Sequence, residues 1–435
     1  MQRWETERRT QRPIGRHQVI AAVATAIITV ACTGGSAVPT ATTSLLEGTT
    51  TPTPAHSATD GVLRIGLLLP ETGPGEIFGD ALGRAAGLAV SEINLHGGVG
   101  GRDVEVVRRD EGSDIATAGR AMGELIDAGV DVIVGPASSN VTLGVLRQAV
   151  DARRVVCSPT ASAISLDGFP DSGYFLRTIP SDRLQTVALA ELISRSGSRT
   201  ASVLFPDDEF GEGFEASIRQ ELNSRGVDVH KSIAYKTAAT DVTALVGAVA
   251  DGHSDVLVVI GDVTSGSRVL QAIAEGTDTQ IPIFVNDALR RSPLATTAAT
   301  RPLLSRVRGV SALAVPEPGA FVTDMTAVNP QQAIDYSAYA YDCVMLAALA
   351  TVSTGGDDPA LTIQAMADVS SQGVRCFDFA TCSAQLVPSY NIDFDGPSGR
   401  IELNPEGEVT SATFEEFAFD EAGRDIPVGK IPINP

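Results

Sequence analysis

The sequence predicts an α/β protein with two similar lobes, each built on a parallel sheet. The first observation is a strand followed by an amphipathic helix, a unit that repeats between residues 62 and 157. The second is that the alternation restarts after Pro180 and continues to residue 285. Strands that alternate with helices at this spacing form parallel sheets with right-handed crossovers, so two successive runs predict two lobes.

The first run opens on the continuous apolar stretch 64–70, which predicts a buried strand. A helix follows over 78–95, where apolar residues recur at helical spacing and Gly97-Gly98 ends the pattern. The same reasoning predicts the rest of this run: strand 104–107, helix 116–128, strand 130–135, helix 141–152 and strand 154–157.

The second run follows the same rule, beginning with a helix. Its predicted elements are helix 183–196, strand 201–205, helix 211–225, strand 227–235, helix 241–251, strand 256–260, helix 265–276 and strand 283–285. Two further helices are expected over 331–353 and 359–369, and short strands are expected from Asn391 onward.

The N-terminal part differs from this body. Residues 1–31 combine five arginines and two glutamates with an uncharged apolar run over 19–31, which is typical of a secretory signal peptide and too short to span a bilayer. The segment Thr29-Val30-Ala31-Cys32 resembles a bacterial lipobox, although Thr29 stands where Leu is usual. That resemblance implies cleavage before Cys32 and lipidation of its sulfur; the alternative is an ordinary signal peptide with a coincidental cysteine. Residues 32–60, rich in Thr, Pro and Ser, predict a flexible tether.

Composition excludes several classes of function. The 435 residues include 53 acidic and 32 basic ones, which gives a formal charge of −21. Nucleic acid and anionic lipid are both bound by clustered basic residues, so this acidic excess argues against either as a partner. None of the five histidines lies in a metal-ligand spacing or near a plausible nucleophile, and the common hydrolase and phosphate-loop motifs do not occur. We therefore expect no enzyme activity, no cofactor and no metal.

Nine short segments occur in a fixed order along the body: Ile65–Pro74, Ala89–Asn94, Gly97–Arg102, Gly129–Pro136, Ser158-Pro159, Arg177–Asp182, Asp207–Gly213, Tyr341-Asp342 and Asp393–Gly399. Together they span about 62–420 and resemble the leucine/isoleucine/valine-binding type of ABC-transporter solute-binding protein, which has the class I periplasmic-binding fold. The resemblance implies two Rossmann-like lobes joined by three crossover strands, with ligand enclosed by hinge closure. Lobe 1 is then expected over 62–180 plus 312–404, and lobe 2 over 181–311 plus 405–427.

Candidate ligand-binding residues follow two neighbouring strands of the first lobe, because ligands of open α/β sheets lie beyond the carboxyl ends of strands. Ser138 and Ser139 precede a helix whose N-terminal amides suit a carboxylate. Thr160, Ala161 and Ser162 follow the next strand. The resemblance assigns the ligand's carboxylate and amino group to Ser139, the backbone of Thr160, and Ser162. The alternative for these serines is N-capping.

The second lobe offers two candidate acids for a ligand ammonium, Asp262 and Asp287, each of which could instead be a solvated loop residue. Phe210 could cover the ligand or pack in the interior. At Asp262 the sequence departs from the aromatic residue of the family, so a more cationic or polar ligand stays open.

The remaining cysteines suggest one disulfide. Cys376 and Cys382 flank a short loop in an exported chain, and relatives of this type often carry such a pair. Cys157 and Cys343 are expected to be buried thiols.

These observations predict a lipid-anchored, extracytoplasmic, monomeric protein that captures an amino acid or similar small polar solute and delivers it to an ABC permease. The alternative is a ligand-sensing receptor on the same fold without a transport role.

Overall fold

The computed structural model describes residues 59–249, 252–276, 280–291, 300–312, 319–327, 334, 336–386 and 390–434. The predicted signal peptide, Cys32 and all but the last two residues of the predicted tether lie outside these ranges and stay predictions.

The described strands are, in chain order, β1 (Arg64–Leu69), β2 (Glu105–Asp110), β3 (Val132–Val134), β4 (Val155–Ser158), β5 (Phe175–Arg177), β6 (Thr200–Pro206), β7 (Asp228–Tyr235), β8 (Val256–Val259), β9 (Ile283–Val285), β10 (Val307–Ser311), β11 (Val374–Cys376), β12 (Ile392–Phe394), β13 (Ala412–Phe419) and β14 (Asp425–Ile433).

The described α-helices are α1 (Glu76–Leu95), α2 (Ile115–Asp127), α3 (Ser139–Asp151), α4 (Asp182–Arg195), α5 (Glu209–Ser224), α6 (Thr243–Val249), α7 (Ser265–Gly276), α8 (Arg301–Leu304), α9 (Ala320–Thr326), α10 (Ser337–Thr354), α11 (Pro359–Asp368) and α12 (Phe379–Leu386). Two 3-10 turns cover Ile164–Leu166 and Asp287–Arg291.

Two large sheets form the core of the described residues, and each defines a lobe. Lobe 1 contains five parallel strands in the order β2-β1-β3-β4-β5. Strand β1, which lies between β2 and β3, is buried along its whole length, as its continuous apolar sequence predicts. Helix α10 packs against α1, β3 and β4, and so brings a distant part of the chain into this lobe.

Lobe 2 contains seven strands in the order β14-β13-β10-β9-β8-β6-β7. The five strands from β6 to β10 are parallel, and β13 and β14 close one edge as an antiparallel hairpin. The chain passes between the lobes three times: after β5, between β10 and α10, and between β12 and β13. This is the α/β architecture that the alternation of strands and helices predicted.

Several predicted elements differ from the structure. The strands near the C-terminus were expected to be short, but β13 and β14 contain eight and nine residues because they pair with each other along most of their length. The helix expected over 331–353 begins only at Ser337. The helix expected over 241–251 is described over Thr243–Val249, and its last two residues lie outside the described ranges.

Two disulfides link described cysteines, so the expectation of a single bridge was wrong. Cys376 and Cys382 form the expected bridge, with Cα atoms 5.4 Å apart. Cys157 and Cys343 form the second, with Cα atoms 5.8 Å apart. Cys157 lies in β4 and Cys343 in α10, and the packing of that helix on lobe 1 brings together two residues that are 186 positions apart. Nothing local in the sequence indicates this contact.

Within the described ranges, no helix is long and apolar enough to cross a bilayer.

Candidate ligand-binding site

Two loops at the carboxyl ends of β3 and β4 form one polar surface, called here the lobe 1 platform (residues 135–140 and 158–163). Ser158 is buried between them: its hydroxyl donates to the Pro136 carbonyl at 2.6 Å and accepts from the Ala161 N–H at 3.0 Å. The Thr160 hydroxyl donates to the Ala137 carbonyl at 2.8 Å. Bonds from Ser158 and Thr160 cross from one loop to the other, so the two predicted residue sets form one hydrogen-bonded surface.

The predicted serines of the platform have different roles. Ser138 is the N-cap residue of α3, yet its side chain makes no capping hydrogen bond. The Ser139 hydroxyl accepts from the Ala163 N–H at 3.2 Å and so joins the loops. Helix α3 therefore begins without a side-chain cap, which leaves its first turn suited to an anion.

Glu111, which directly follows β2, holds the first platform loop through hydrogen bonds to its backbone. Its carboxylate accepts the Ala137 N–H at 2.7 Å and also bonds the Ser138 N–H. Burial raises the pKa of this carboxyl to about 7, against the lowering effect of those two bonds. The amides of residues 137 and 138 are thus held by the protein itself, and a ligand carboxylate would have to use amides further along α3.

Arg177 holds the second loop in place. Its guanidinium is fully buried and donates through Nη1 to the carbonyls of Ala161 and Ala163 at 3.2 and 3.0 Å. The same group forms ion pairs with Asp167 and with Glu408, the latter through Nε at 2.7 Å. Buried charge is stable only when it is paired in this way, so the loop conformation depends on Arg177.

A pair of buried carboxyl groups lies next to the platform. Asp182 begins α4; its N–H donates to the Ser162 carbonyl at 2.8 Å, and its carboxyl bonds the Ser162 hydroxyl. Burial raises the pKa of Asp182 to about 8, and the negative charge of Asp287 is the second cause. Oδ2 of Asp182 and Oε1 of Gln185 accept no hydrogen bond from any described residue, although both atoms are buried. A ligand that donates hydrogen bonds could satisfy both of these buried atoms.

Asp287 completes this pair from lobe 2. It is buried, not the solvated loop residue of the alternative, and its Oδ2 accepts from the Tyr336 hydroxyl at 2.8 Å. Its pKa is raised by burial and lowered by bonds from Gln185 and Tyr336. Tyr336 has a left-handed backbone conformation, with φ of 59°, and its ring meets the edge of Phe78 with centroids 5.3 Å apart. Because Phe78 lies on α1, an aromatic contact connects lobe 1 to the acid of lobe 2.

The two other lobe 2 candidates are placed differently. Asp262 is exposed and caps the start of α7: it accepts the N–H groups of Thr264 and Ser265 at 2.7 and 2.8 Å. Phe210 is half-buried in the first turn of α5, 6.1 Å from the ring of Phe214. The structure shows no contact between Asp262 and the platform.

Comparison with known proteins assigns the family. Residues 62–392 match the sequence profile described as periplasmic binding protein. The chain belongs to the periplasmic binding protein family. A relative from Halobacterium salinarum, a chemotactic signal transduction system substrate-binding protein named BasB, is 28% identical over 356 residues, which is 78% of this chain and 83% of BasB.

A second relative, from Pseudomonas aeruginosa, is named as a leucine-, isoleucine-, valine-, threonine- and alanine-binding protein. It is 27% identical over 44% of this chain and 52% of its own length, so the match covers about half of that protein.

Solved structures show the same fold at low sequence identity. The branched-chain amino acid transporter substrate-binding protein LivJ of Streptococcus pneumoniae, in complex with isoleucine, aligns with a TM-score of 0.70 at 20% identity and covers 86% of this chain and 100% of LivJ. A solute-binding protein from R. palustris in complex with benzoate aligns with a TM-score of 0.68 at 18% identity over 86% of this chain and 98% of its own.

As a periplasmic binding protein, the chain is an extracytoplasmic solute-binding protein of the type I fold. The described part contains no cluster of His, Cys, Asp or Glu arranged to hold a metal ion. The structure brings Ser162 and Asp287 together through Asp182, and it joins Ser139 to the Thr160 loop.

Sequence reasoning missed four residues of this site: Asp182, Arg177, Glu111 and Tyr336. Arg177 and Asp182 begin and end the segment Arg177–Asp182, and an acid directly before the helix predicted over 183–196 was an available signal. Nothing local in the sequence indicated Tyr336.

Proposed function

We propose that this periplasmic binding protein binds a free α-amino acid between its lobes. The observation that carries the proposal is the Asp182–Asp287 pair: two buried carboxyl groups, one of which has an oxygen without a hydrogen-bond donor. The named ligands of the Pseudomonas relative and of LivJ are amino acids, which supports the same class.

The ammonium group fits this pair for electrostatic reasons. Repulsion disfavours ionisation of both neighbouring buried carboxyl groups, and a cation placed between them favours the ionised forms and supplies a donor to Asp182 Oδ2. Charge-assisted hydrogen bonds of this kind contribute roughly 1.5–3 kcal/mol each.

The ligand carboxylate would lie at the other end of the platform. Helix α3 starts at Ser139 without a side-chain cap, and its dipole favours an anion there. The hydroxyls of Ser139 and Thr160 join the two platform loops, and the hydroxyl of Ser162 bonds Asp182, so hydrogen bonds connect the start of this helix to the acid pair. An α-amino acid carries an anion and a cation one carbon apart, which matches one uncapped helix and one acid pair.

Aromatic side chains indicate an apolar ligand side chain. Tyr336 bonds Asp287, Phe78 packs against Tyr336, and Phe210 lies in the first turn of α5; each of these aromatic residues is at least half-buried. They offer apolar contact from both lobes. We therefore place leucine, isoleucine and valine first among the candidates.

The test measures separately how much the ammonium and the carboxylate of the ligand contribute to binding. Calorimetric titration would compare L-leucine with 4-methylpentanoate, which lacks the ammonium, and with 3-methylbutylamine, which lacks the carboxylate. Leucine should bind, and each analogue should bind at least about tenfold more weakly, since each loses a charge-assisted bond. Asp182→Asn and Asp287→Asn should reduce leucine affinity, whereas Asp262→Asn, which alters only the start of α7, is the matched control. Equal binding of leucine and 4-methylpentanoate would contradict the ammonium assignment.

Co-purified solute provides a second measurement. Mass spectrometry of protein denatured directly after purification should reveal an amino acid at near-equimolar amount. An aromatic acid without an amino group would point to the chemistry of the benzoate complex instead.

For the cellular role we propose lipid anchoring at Cys32 and delivery of the ligand to an ABC permease. The lipobox-like segment and the tether composition support the anchor. The full chain expressed in a bacterial host should partition into detergent, and Cys32→Ser should move it to the aqueous phase.

The similarity to BasB favours a second role, ligand sensing. Labelled leucine uptake in a strain that lacks the gene distinguishes the two: reduced uptake supports transport, and unchanged uptake with an altered behavioural response supports sensing.

A further inference from the structure

In the part of the chain that the structure describes, a hydrogen bond joins the start of α3 in lobe 1 to the start of α5 in lobe 2. Asn140, the second residue of α3, donates through Nδ2 to Oδ2 of Asp208 at 3.1 Å. Asn140 belongs to the lobe 1 platform, and Asp208 precedes α5 of lobe 2. Both side chains are half-buried, so the bond is partly protected from water.

Asp208 is held rigidly at its own end. Its other oxygen, Oδ1, caps α5 by accepting the Gly211 N–H at 2.9 Å. A Cβ atom on Gly211 would lie 2.0 Å from the carbonyl oxygen of Pro206, so the first turn of α5 packs directly on the end of β6. The carboxylate that receives Asn140 therefore has a fixed position in lobe 2.

The start of α3 is equally well placed in lobe 1. Ser139, the neighbour of Asn140, is bonded to the second platform loop, and Thr142 bonds back to the Ser138 carbonyl. Helix α5 also packs on the 3-10 turn that follows this platform. The Asn140–Asp208 bond thus connects two surfaces, each of which is held by hydrogen bonds within its own lobe, and at 3.1 Å it requires these surfaces to be in contact.

We propose that the Asn140–Asp208 bond is a latch that holds the lobes closed and so sets how long a bound ligand stays. The inference rests on the proposed function only in that a ligand lies between the lobes; it does not depend on which ligand. Asn140 is a positioning residue: it acts on the ligand through lobe closure.

Substitutions that change the charge at residues 140 and 208 test the latch while the side-chain cap of α5 is kept. Asn140→Asp places a carboxylate against Asp208, near Glu209 and Glu212, so the two lobes repel. Aspartate in the first turn of a helix is favourable, so α3 should remain folded. The double variant Asn140→Asp/Asp208→Asn restores a donor and an acceptor in the reverse direction, and asparagine caps α5 as well as aspartate does.

Two measurements report the result. Stopped-flow dissociation of L-leucine should be about tenfold faster in Asn140→Asp and unchanged in Gln220→Glu, which adds the same charge on the exposed face of α5. The double variant should recover only part of this rate, because it still carries a carboxylate in the first turn of α3, close to the proposed place of the ligand carboxylate. Small-angle scattering of each protein should give a larger radius of gyration for Asn140→Asp alone.

The outcomes separate the latch from the amino-acid assignment. An unchanged radius of gyration in Asn140→Asp would overturn the latch, as would failure of the double variant to restore the radius. If no variant binds leucine but the radius increases and is restored as described, the latch stands and the amino-acid proposal fails.

Discussion

Binding of an ammonium at the Asp182–Asp287 pair should release a proton at neutral pH. Without ligand, burial and the neighbouring charge raise the pKa of Asp182 to about 8, so roughly nine-tenths of this carboxyl is protonated at pH 7. A cation that bonds the carboxylate favours the ionised form. The proton is then lost to solvent when the ligand binds.

The size of the effect follows from this pKa. Release should be about 0.9 proton per ligand at pH 7 and about 0.5 at pH 8, and the slope of the logarithm of the binding constant against pH equals the number released. Leucine should therefore bind about ninefold more tightly at pH 7 than at pH 6. The two carboxyls interact, so the release belongs to the pair.

Calorimetric titration in phosphate and in Tris measures the release directly, because the two buffers differ in their enthalpy of ionisation. Asp182→Asn should abolish the release and make affinity nearly constant between pH 6 and 8. Asp262→Asn should leave both unchanged. Release of less than about 0.2 proton at pH 7, or affinity that does not change between pH 6 and 7, would refute the assignment of the ammonium to this pair.

The raised pKa of Asp182 also predicts how the free energy of unfolding varies with pH in the absence of ligand. A carboxyl with a raised pKa keeps its proton in the folded state after the unfolded chain has lost it. The free energy of unfolding should therefore fall as pH rises from about 4 to 8, by at most about 1.4 kcal/mol per pH unit from Asp182.

Three further substitutions should change stability, each measured by chemical denaturation. Arg177→Met leaves Asp167 and Glu408 without their buried partner and should cost about 3–5 kcal/mol. Gly211→Ala forces a Cβ against the Pro206 carbonyl and should destabilise the protein by about 1–3 kcal/mol. Loss of the Cys157–Cys343 bridge, which closes a loop of 186 residues, should cost about 5 kcal/mol on chain entropy alone.

Matched controls accompany these changes. Arg183→Gln removes an exposed partner of Asp167 and should cost less than about 1 kcal/mol. Gly247→Ala adds a Cβ in open space within α6 and should be neutral or slightly stabilising. The Cys376–Cys382 bridge closes a loop with a sequence separation of only 6, so its loss should cost about 2 kcal/mol. If a control matches its partner in size, the structural reason given for that partner is wrong.

The strand and helix pattern was predictable because burial leaves a periodic trace in the sequence. The run 64–70 and the stripe over 78–95 correspond to β1 and α1 within a few residues. Strands β5 and β10 were not predicted, since three to five residues carry too little periodicity to be recognised alone.

Only the lobe 1 part of the candidate site was predictable from the sequence. Polar loops after β3 and β4 follow a general rule of α/β sheets, so the platform was found. The roles of Asp182, Arg177 and Asn140 depend on contacts with residues 10 to 231 positions away, and such contacts leave no local pattern. Asp262, by contrast, was selected for its place at a strand end, and the structure uses it to start a helix.

The Cys157–Cys343 bridge also determines which fragments proteolysis would release. The described elements from β6 to β10 all lie between the two cysteines in the chain, so lobe 2 is largely an insertion within a covalent ring that lobe 1 closes. One cut anywhere between these cysteines opens the ring without releasing a fragment. Nicked protein would migrate as a single chain until a reductant is added, and lobe 1 would keep both of its chain segments even if lobe 2 were unfolded.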